Sequence, residues 1–175
     1  MIENLWAGWR GRYLSSLPDQ RESPDGPSVF CRILESGLTD EETFIVHRSD
    51  SVFVILNAYP YSVGHTMVLP YRQVANLDDL SPEETGDLWS TVTAVCRAVR
   101  REYAPHGINV GINMGAASGG SVNEHLHVHV VPRWRGDSNF LTSTANAKAI
   151  PEALDVTAAR LRGAMRDTDT VVEST

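Results

Sequence analysis

Residues 125–131 read His-Leu-His-Val-His-Val-Val, histidine and aliphatic residues alternating from His125 to Val130. An alternation of period 2 fits a half-buried strand, because successive strand side chains point to opposite faces. His125, His127 and His129 then line one face. Leu126, Val128 and Val130 line the other, the face a helix layer would cover. Pro132 lacks a ladder donor and is expected to close the strand. Upstream, Gly115, Gly119 and Gly120 with Ser118 and Ser121 form a small-residue loop whose backbone N–H groups can approach an anion closely. One histidine on a strand is ordinarily a structural residue. Three in alternation set imidazoles side by side, each disfavouring a second positive charge, and a fold rarely keeps that arrangement unless the groups are used. Two uses fit: metal ligation, since His-x-His on a strand can hold zinc, or nucleophilic and acid–base chemistry.

The rest of the chain supplies a sheet for this strand. Thr43–Arg48, Ser51–Asn57 and Val63–Leu69 are three β-rich runs separated by Ser-Asp and Tyr-Pro-Tyr-Ser turns. Ile108–Asn113 reads as a fourth strand. Between the third and fourth, Ser81-Pro82-Glu83-Glu84 is a helix start: Ser81 caps, Pro82 suits the first position and Glu84 completes a capping box. That helix runs to about Tyr103, with Leu88, Val92, Val95, Val99 and Tyr103 on one face and Arg97, Arg100 and Arg101 near its end, before Pro105. Val29–Leu34 is a short element leading to Gly37, and Pro151-Glu152 opens a last helix to about Met165. The expectation is an α+β domain, a five-stranded antiparallel sheet with helices packed on it. Residues 1–28 read as an arm and linker, with Leu5, Trp6, Trp9, Tyr13 and Leu14 spaced as on a short amphipathic helix and Pro18–Ser28 rich in turn formers. Residues 29–166 form the domain and 167–175 a flexible tail.

At 175 residues the chain is about one domain. Its formal net charge of −7 argues against a nonspecific nucleic-acid coat, so an anionic ligand needs a local site. Two cysteines, Cys31 and Cys96, give no disulfide framework and suit a reducing cytoplasm. The sequence shows no signal-peptide pattern and no apolar run long enough for a membrane span.

The triad followed by Pro132-Arg133 resembles the signature of the histidine-triad (HIT) nucleotide hydrolases and transferases. Asn57…Gly64-His65-Thr66-Met67-Val68-Leu69-Pro70 resembles that family's second segment, and Gly119-Gly120-Ser121 its turn before the triad. The likeness covers roughly residues 29 to 141. Leu5-Trp6…Arg12-Tyr13-Leu14, Glu124-His125 and Arg133-Trp134…Gly136-Asp137-Ser138-Asn139-Phe140 look most like the actinobacterial branch that includes diadenosine tetraphosphate phosphorylases.

What the resemblance implies is specific. His127 takes the place of the nucleophile, attacking an α-phosphorus to give a nucleotidyl-histidine intermediate. His125 and His65 support it by hydrogen bonding, and His129 contacts the phosphate and leaving group. Asn57 contacts nucleoside or ribose. Gly119, Gly120 and Ser121 stabilise the phosphoryl oxygens, and Arg133 and Arg135 are candidates to hold an orthophosphate acceptor. The partners are then a nucleotide and orthophosphate, with no cofactor, no nucleic acid and no membrane, and the family's usual assembly is a homodimer with a continuous sheet. Three departures stand out. Where many bacterial members carry two cysteines and a later histidine that build a zinc site, this chain has Ser28…Cys31 and Gln73, so two ligands are missing and no metal is expected. One extra residue separates Ser121 from His125. Glu124 adds a carboxylate beside the loop. A dinucleoside polyphosphate, adenylyl-sulfate or phosphoramidate hydrolase, or a nucleotide-processing step of secondary metabolism, would leave nearly the same sequence. A nucleotide-binding sensor without turnover and a zinc enzyme are the readings from other classes.

Overall fold

A computed structural model describes residues 26–118, 122–137 and 152–172. Two short helices, α1 (Val29–Glu35) and α2 (Asp40–Thr43), precede strands β1 (Ile45–Arg48), β2 (Val52–Leu56) and β3 (Thr66–Pro70). Helix α3 (Pro82–Tyr103), strands β4 (Gly107–Ile112) and β5 (Val128–Arg133), and helix α4 (Leu154–Val172) follow. The strands form one sheet in the order β1-β2-β3-β5-β4, every neighbouring pair antiparallel. The expected α+β architecture is therefore present. No helix among the described residues is long and apolar enough to cross a membrane.

Strands β2 and β3 divide their side chains between two buried layers. Val52, Val54, Leu56, Val68, Val128 and Val130 join Leu88, Val92, Val95 and Val99 of α3 and Leu154, Ala158, Leu161 and Met165 of α4. On the other face Phe53, Ile55, Met67 and Leu69 pack with Phe30 and Ile33 of α1. The triad shares this second face, so α1 walls it. Helix α3 starts as its sequence dictates: Ser81 Oγ accepts from the Glu84 N–H at 3.2 Å while Glu84 returns a carboxylate to the Ser81 N–H at 2.8 Å.

Several boundaries differ from the pattern. The apolar run from Thr43 conceals a helical turn, capped by Thr39 with Glu42 as its box partner and ended by Phe44 at φ +60°. Strand β1 begins only at Ile45. The last helix continues to Val172, since nothing after Met165 resembles a glycine or proline stop. Strand β5 begins at Val128 rather than His125, and Pro132 lies within it, opposite Ile108. Pairing with β3 ends at Thr66–Val130. The Pro132 carbonyl, and with it the ring nitrogen, faces the side β3 has left, where Ser62 Oγ donates to that carbonyl at 2.6 Å. The missing N–H therefore breaks no ladder bond.

Gly64, just before His65, sits at φ +75° with Pro132 and the Tyr103 ring each 3.3 Å from where a Cβ would stand. Gly64→Ala is expected to destabilise the fold by about 1–3 kcal/mol through left-handed strain and crowding. Urea unfolding checks this, and an unchanged midpoint would contradict it.

Candidate active site

The ladder that fixes β5 begins at Val128, which pairs with Val68 on one side and Ile112 on the other. His129 is thus held by the sheet, whereas His125 and His127 lie in the segment leading into it. That segment is anchored by the Leu126 N–H bonding the Val74 carbonyl at 2.6 Å, with Leu126 in the helix-side core. His125 and His127 are buried, at 1% and 5% exposure, and His129 is half-buried. The rings of His127 and His129 stand 4.8 Å apart, centre to centre. Phe30 of α1 packs at 5.5 Å against His125 and 5.7 Å against His127.

The hydrogen-bond partners fix the proton on each ring. His127 Nδ1 lies 2.8 Å from the His125 carbonyl, which can only accept, so Nδ1 carries the hydrogen and Nε2 keeps its lone pair. His125 Nε2 donates to the Pro70 carbonyl at 2.8 Å, leaving Nδ1 as acceptor for the Ser28 hydroxyl at 2.7 Å. His65, 1% exposed, accepts the Tyr61 N–H on Nδ1 at 3.0 Å. Its Nε2–H then donates to His129 Nδ1, also at 3.0 Å. His129 must therefore carry its own proton on Nε2. The triad offers one bare nitrogen, on His127, and one N–H donor, on His129.

Burial favours the neutral form of His125 and His129. His129 is pushed down to about 4 by burial and by its neighbour His127. His125 is lowered mainly by burial, against the opposing pull of the Pro70 carbonyl. Both stand below the unfolded value of about 6.5. As pH falls through 6.5, the unfolded chain takes up protons that the folded His129 refuses until about pH 4. Stability from this group is complete above pH 6.5, falls between there and about 4, and changes no further below. The urea midpoint is expected to be lower at pH 5 than at pH 7.5, with a smaller difference in His129→Gln. Equal pH dependence in both proteins would contradict this.

The remaining sequence candidates fall in different places. Asn57 lies beside His65, its Nδ2 3.4 Å from both ring nitrogens and its Oδ1 accepting the Tyr59 N–H at 2.8 Å. Arg133 is not brought to the triad. It sits four residues beyond His129, about 13 Å along a strand, in a bidentate pair with Asp137 at 2.6 and 2.8 Å. Gly119, Gly120 and Ser121 lie outside the described residues. Glu124 accepts its neighbour Asn123's N–H at 2.9 Å. Tyr61, which the sequence shows only as part of a turn, was missed as a site residue. It is 53% exposed, with its ring 4.6 Å from His65 and stacked at 6.1 Å on His129. An aromatic four residues before His65 was the available signal.

Ser28, Cys31 and Gln73, where the sequence resemblance implies a lost zinc site, gather at His125. Ser28 Oγ is 2.7 Å and Cys31 Sγ 3.8 Å from His125 Nδ1, and the Gln73 carboxamide accepts the Cys31 thiol at 3.2 Å. A hydroxyl and a carboxamide stand in for a thiolate and an imidazole, so the set does not fit a closed tetrahedral zinc centre. Among the described residues, no group of three His, Cys, Asp or Glu gathers as for a metal ion.

Comparison with known proteins shows the family and the fold. The HIT domain family model matches residues 39–136. The chain is 44% identical to the AP-4-A phosphorylase of Mycobacterium tuberculosis (strain H37Rv) over 87% of its own length and 79% of that protein's. It is 33% identical to the asymmetrical bis(5'-nucleosyl)-tetraphosphatase of Schizosaccharomyces pombe over 53% of its length and 50% of that enzyme's. Its fold superposes on a zinc-bound histidine triad family protein from Mycobacterium smegmatis with a TM-score of 0.66, at 28% identity, covering 82% of this chain and 96% of that one.

Proposed function

The chain belongs to the HIT domain family, and from that premise we propose that it is a nucleotidyl transferase that splits diadenosine tetraphosphate with orthophosphate into ADP and ATP. The observation that carries the chemistry is the His127 Nδ1–H bond to the His125 carbonyl, which leaves Nε2 bare. That lone pair attacks an α-phosphorus, the N–P bond forms, and the α,β-bridging P–O bond breaks to release ATP. The positive charge left on His127 is shared through Nδ1–H with the His125 carbonyl. The His129 Nε2–H donates to the departing phosphate oxygen or to the phosphoryl group under transfer. An orthophosphate oxygen then attacks the nucleotidyl-histidine, the N–P bond breaks, and ADP leaves with His127 neutral again. Asn57, beside His65, is assigned to the nucleoside, and residues 119–121 to the phosphoryl oxygens.

The choice of acceptor rests on likeness to the M. tuberculosis AP-4-A phosphorylase over most of both chains. The S. pombe tetraphosphatase, matched over half its length, favours water as the second reading. The assembly we propose is a homodimer joined along β4, an edge strand with Val110 42% exposed. A cytoplasmic setting suits the two free cysteines. The function is tested by supplying a dinucleoside tetraphosphate with and without phosphate. ADP and ATP in equal amounts, dependent on phosphate, is the expected result. AMP together with ATP, and no ADP, in excess phosphate would refute the phosphorylase and leave the hydrolase.

A further inference from the structure

His125 and His127 stand outside the sheet's ladder, yet the reaction proposed above needs His127 aimed and protonated on one nitrogen only. We infer that Ser28 and Gln73 are positioning residues for His127, acting through His125 as a hydrogen-bonded clamp that needs no metal. The inference rests on His127 being the nucleophile.

The clamp is continuous from helix α1 to the triad. Gln73 Oε1 accepts the Ser28 N–H at 2.7 Å and the Cys31 thiol at 3.2 Å, while its Nε2 donates to the Gly26 carbonyl at 3.2 Å. Ser28, 1% exposed, caps α1 by accepting the Cys31 N–H on Oγ at 3.2 Å. The same hydroxyl donates to His125 Nδ1 at 2.7 Å. With Nε2–H on the Pro70 carbonyl, both His125 nitrogens are committed. His125 therefore has no proton to give or take, and its catalytic value lies in where it puts its own carbonyl, 2.8 Å from His127 Nδ1. Phe30, on the helix Ser28 caps, packs against both rings. One helix start thus fixes His125's tautomer, His125's place and one wall of His127.

Without the hydroxyl, the group left nearest His125 Nδ1 is the Cys31 thiol, 3.8 Å away and already donating to Gln73 Oε1. A proton can then move to Nδ1 only by giving up the Pro70 bond, so two ring states compete and the carbonyl under His127 loses its single position. Interactions that hold a catalytic group in line act on the chemical step more than on ground-state binding. Turnover should fall by about 10–100-fold with little change in nucleotide Kd, by analogy with losing the hydrogen bond that orients a metal-ligating histidine.

Ser28→Gly is the informative variant, because glycine serves nearly as well as serine at a helix N-cap and so spares α1. Ser28→Thr keeps the hydroxyl, Gln73→Leu cuts the far end of the clamp, and Ser81→Ala removes the equivalent cap of α3, remote from the triad. Imidazole 15N NMR reads the tautomers directly. The expected result is a single Nε2–H form of His125 in wild type and Ser28→Thr, and a mixture or shifted form in Ser28→Gly. Turnover should fall in Ser28→Gly and Gln73→Leu and stay near wild type in Ser28→Thr and Ser81→Ala. Wild-type turnover in Ser28→Gly, or turnover lost in proportion to stability in Ser81→Ala as well, would overturn the inference. Activity surviving in His127→Ala would instead overturn the nucleophile, so the two failures are distinguishable.

Discussion

Replacing His127 with alanine is expected to lower turnover by about 10⁴-fold or more while nucleotide binding survives. His127 Nε2 is the one bare nitrogen the triad offers, because the Nδ1–H is spent on the His125 carbonyl. Removing it deletes the covalent route, and losing a nucleophile costs several orders of magnitude when no neighbour can replace it. His125 cannot, since both its nitrogens are bonded. His129 cannot without breaking its bond from His65. The groups assigned to binding, Asn57 and residues 119–121, are untouched, so Kd measured by calorimetry should change by less than a few-fold. Full activity in His127→Ala would sink the nucleophile. Loss of binding together with turnover would mean the ring also holds the ground state.

Replacing His129 with alanine is expected to lower turnover by about 10²–10⁴-fold, and the size should depend on the leaving group. His129 is a donor by construction: the Tyr61 N–H sets His65 with its hydrogen on Nε2, and that hydrogen sets His129 with its own on Nε2. A donor of this kind helps in proportion to the charge that gathers on the departing oxygen. An adenylyl ester with a strongly basic leaving alcohol should suffer most, and one with an acidic phenol far less. His65→Ala should move in the same direction by a smaller factor, because His129 would keep its ring but lose its enforced tautomer. Steady-state kinetics on the two esters checks this. An equal loss on both would show that His129 acts on the transferred phosphoryl group and not on the leaving group.

These expectations depend on facts of two kinds. Much of the fold was legible in short stretches. The alternation through His129 and Val130 placed imidazole and valine on opposite faces, and Val128 and Val130 do lie in the helix-side layer. Ser81-Pro82-x-Glu84 started a helix at the residue the capping rules select. Local chemistry sufficed there because a cap or a pleat is decided by neighbours within four residues.

Where a second segment had to arrive, the sequence was silent or misleading. Pro132 looked like the end of a strand, and whether a missing N–H matters depends on β3 stopping at Thr66 and on Ser62 reaching its carbonyl. His65 was expected to support His127, yet its bond runs to His129, because the Tyr61 backbone has already claimed its other nitrogen. Arg133 looked close to the triad in sequence, but the strand carries it away and Asp137 engages it. Ser28 and Gln73 appeared only as missing ligands, though 45 residues apart they meet around His125. Which side chains share a face could be read from the alternation, since that follows from backbone period alone. The tertiary structure decided which nitrogen of each histidine bears its proton, because a tautomer is chosen by whatever partner the fold places within about 3 Å.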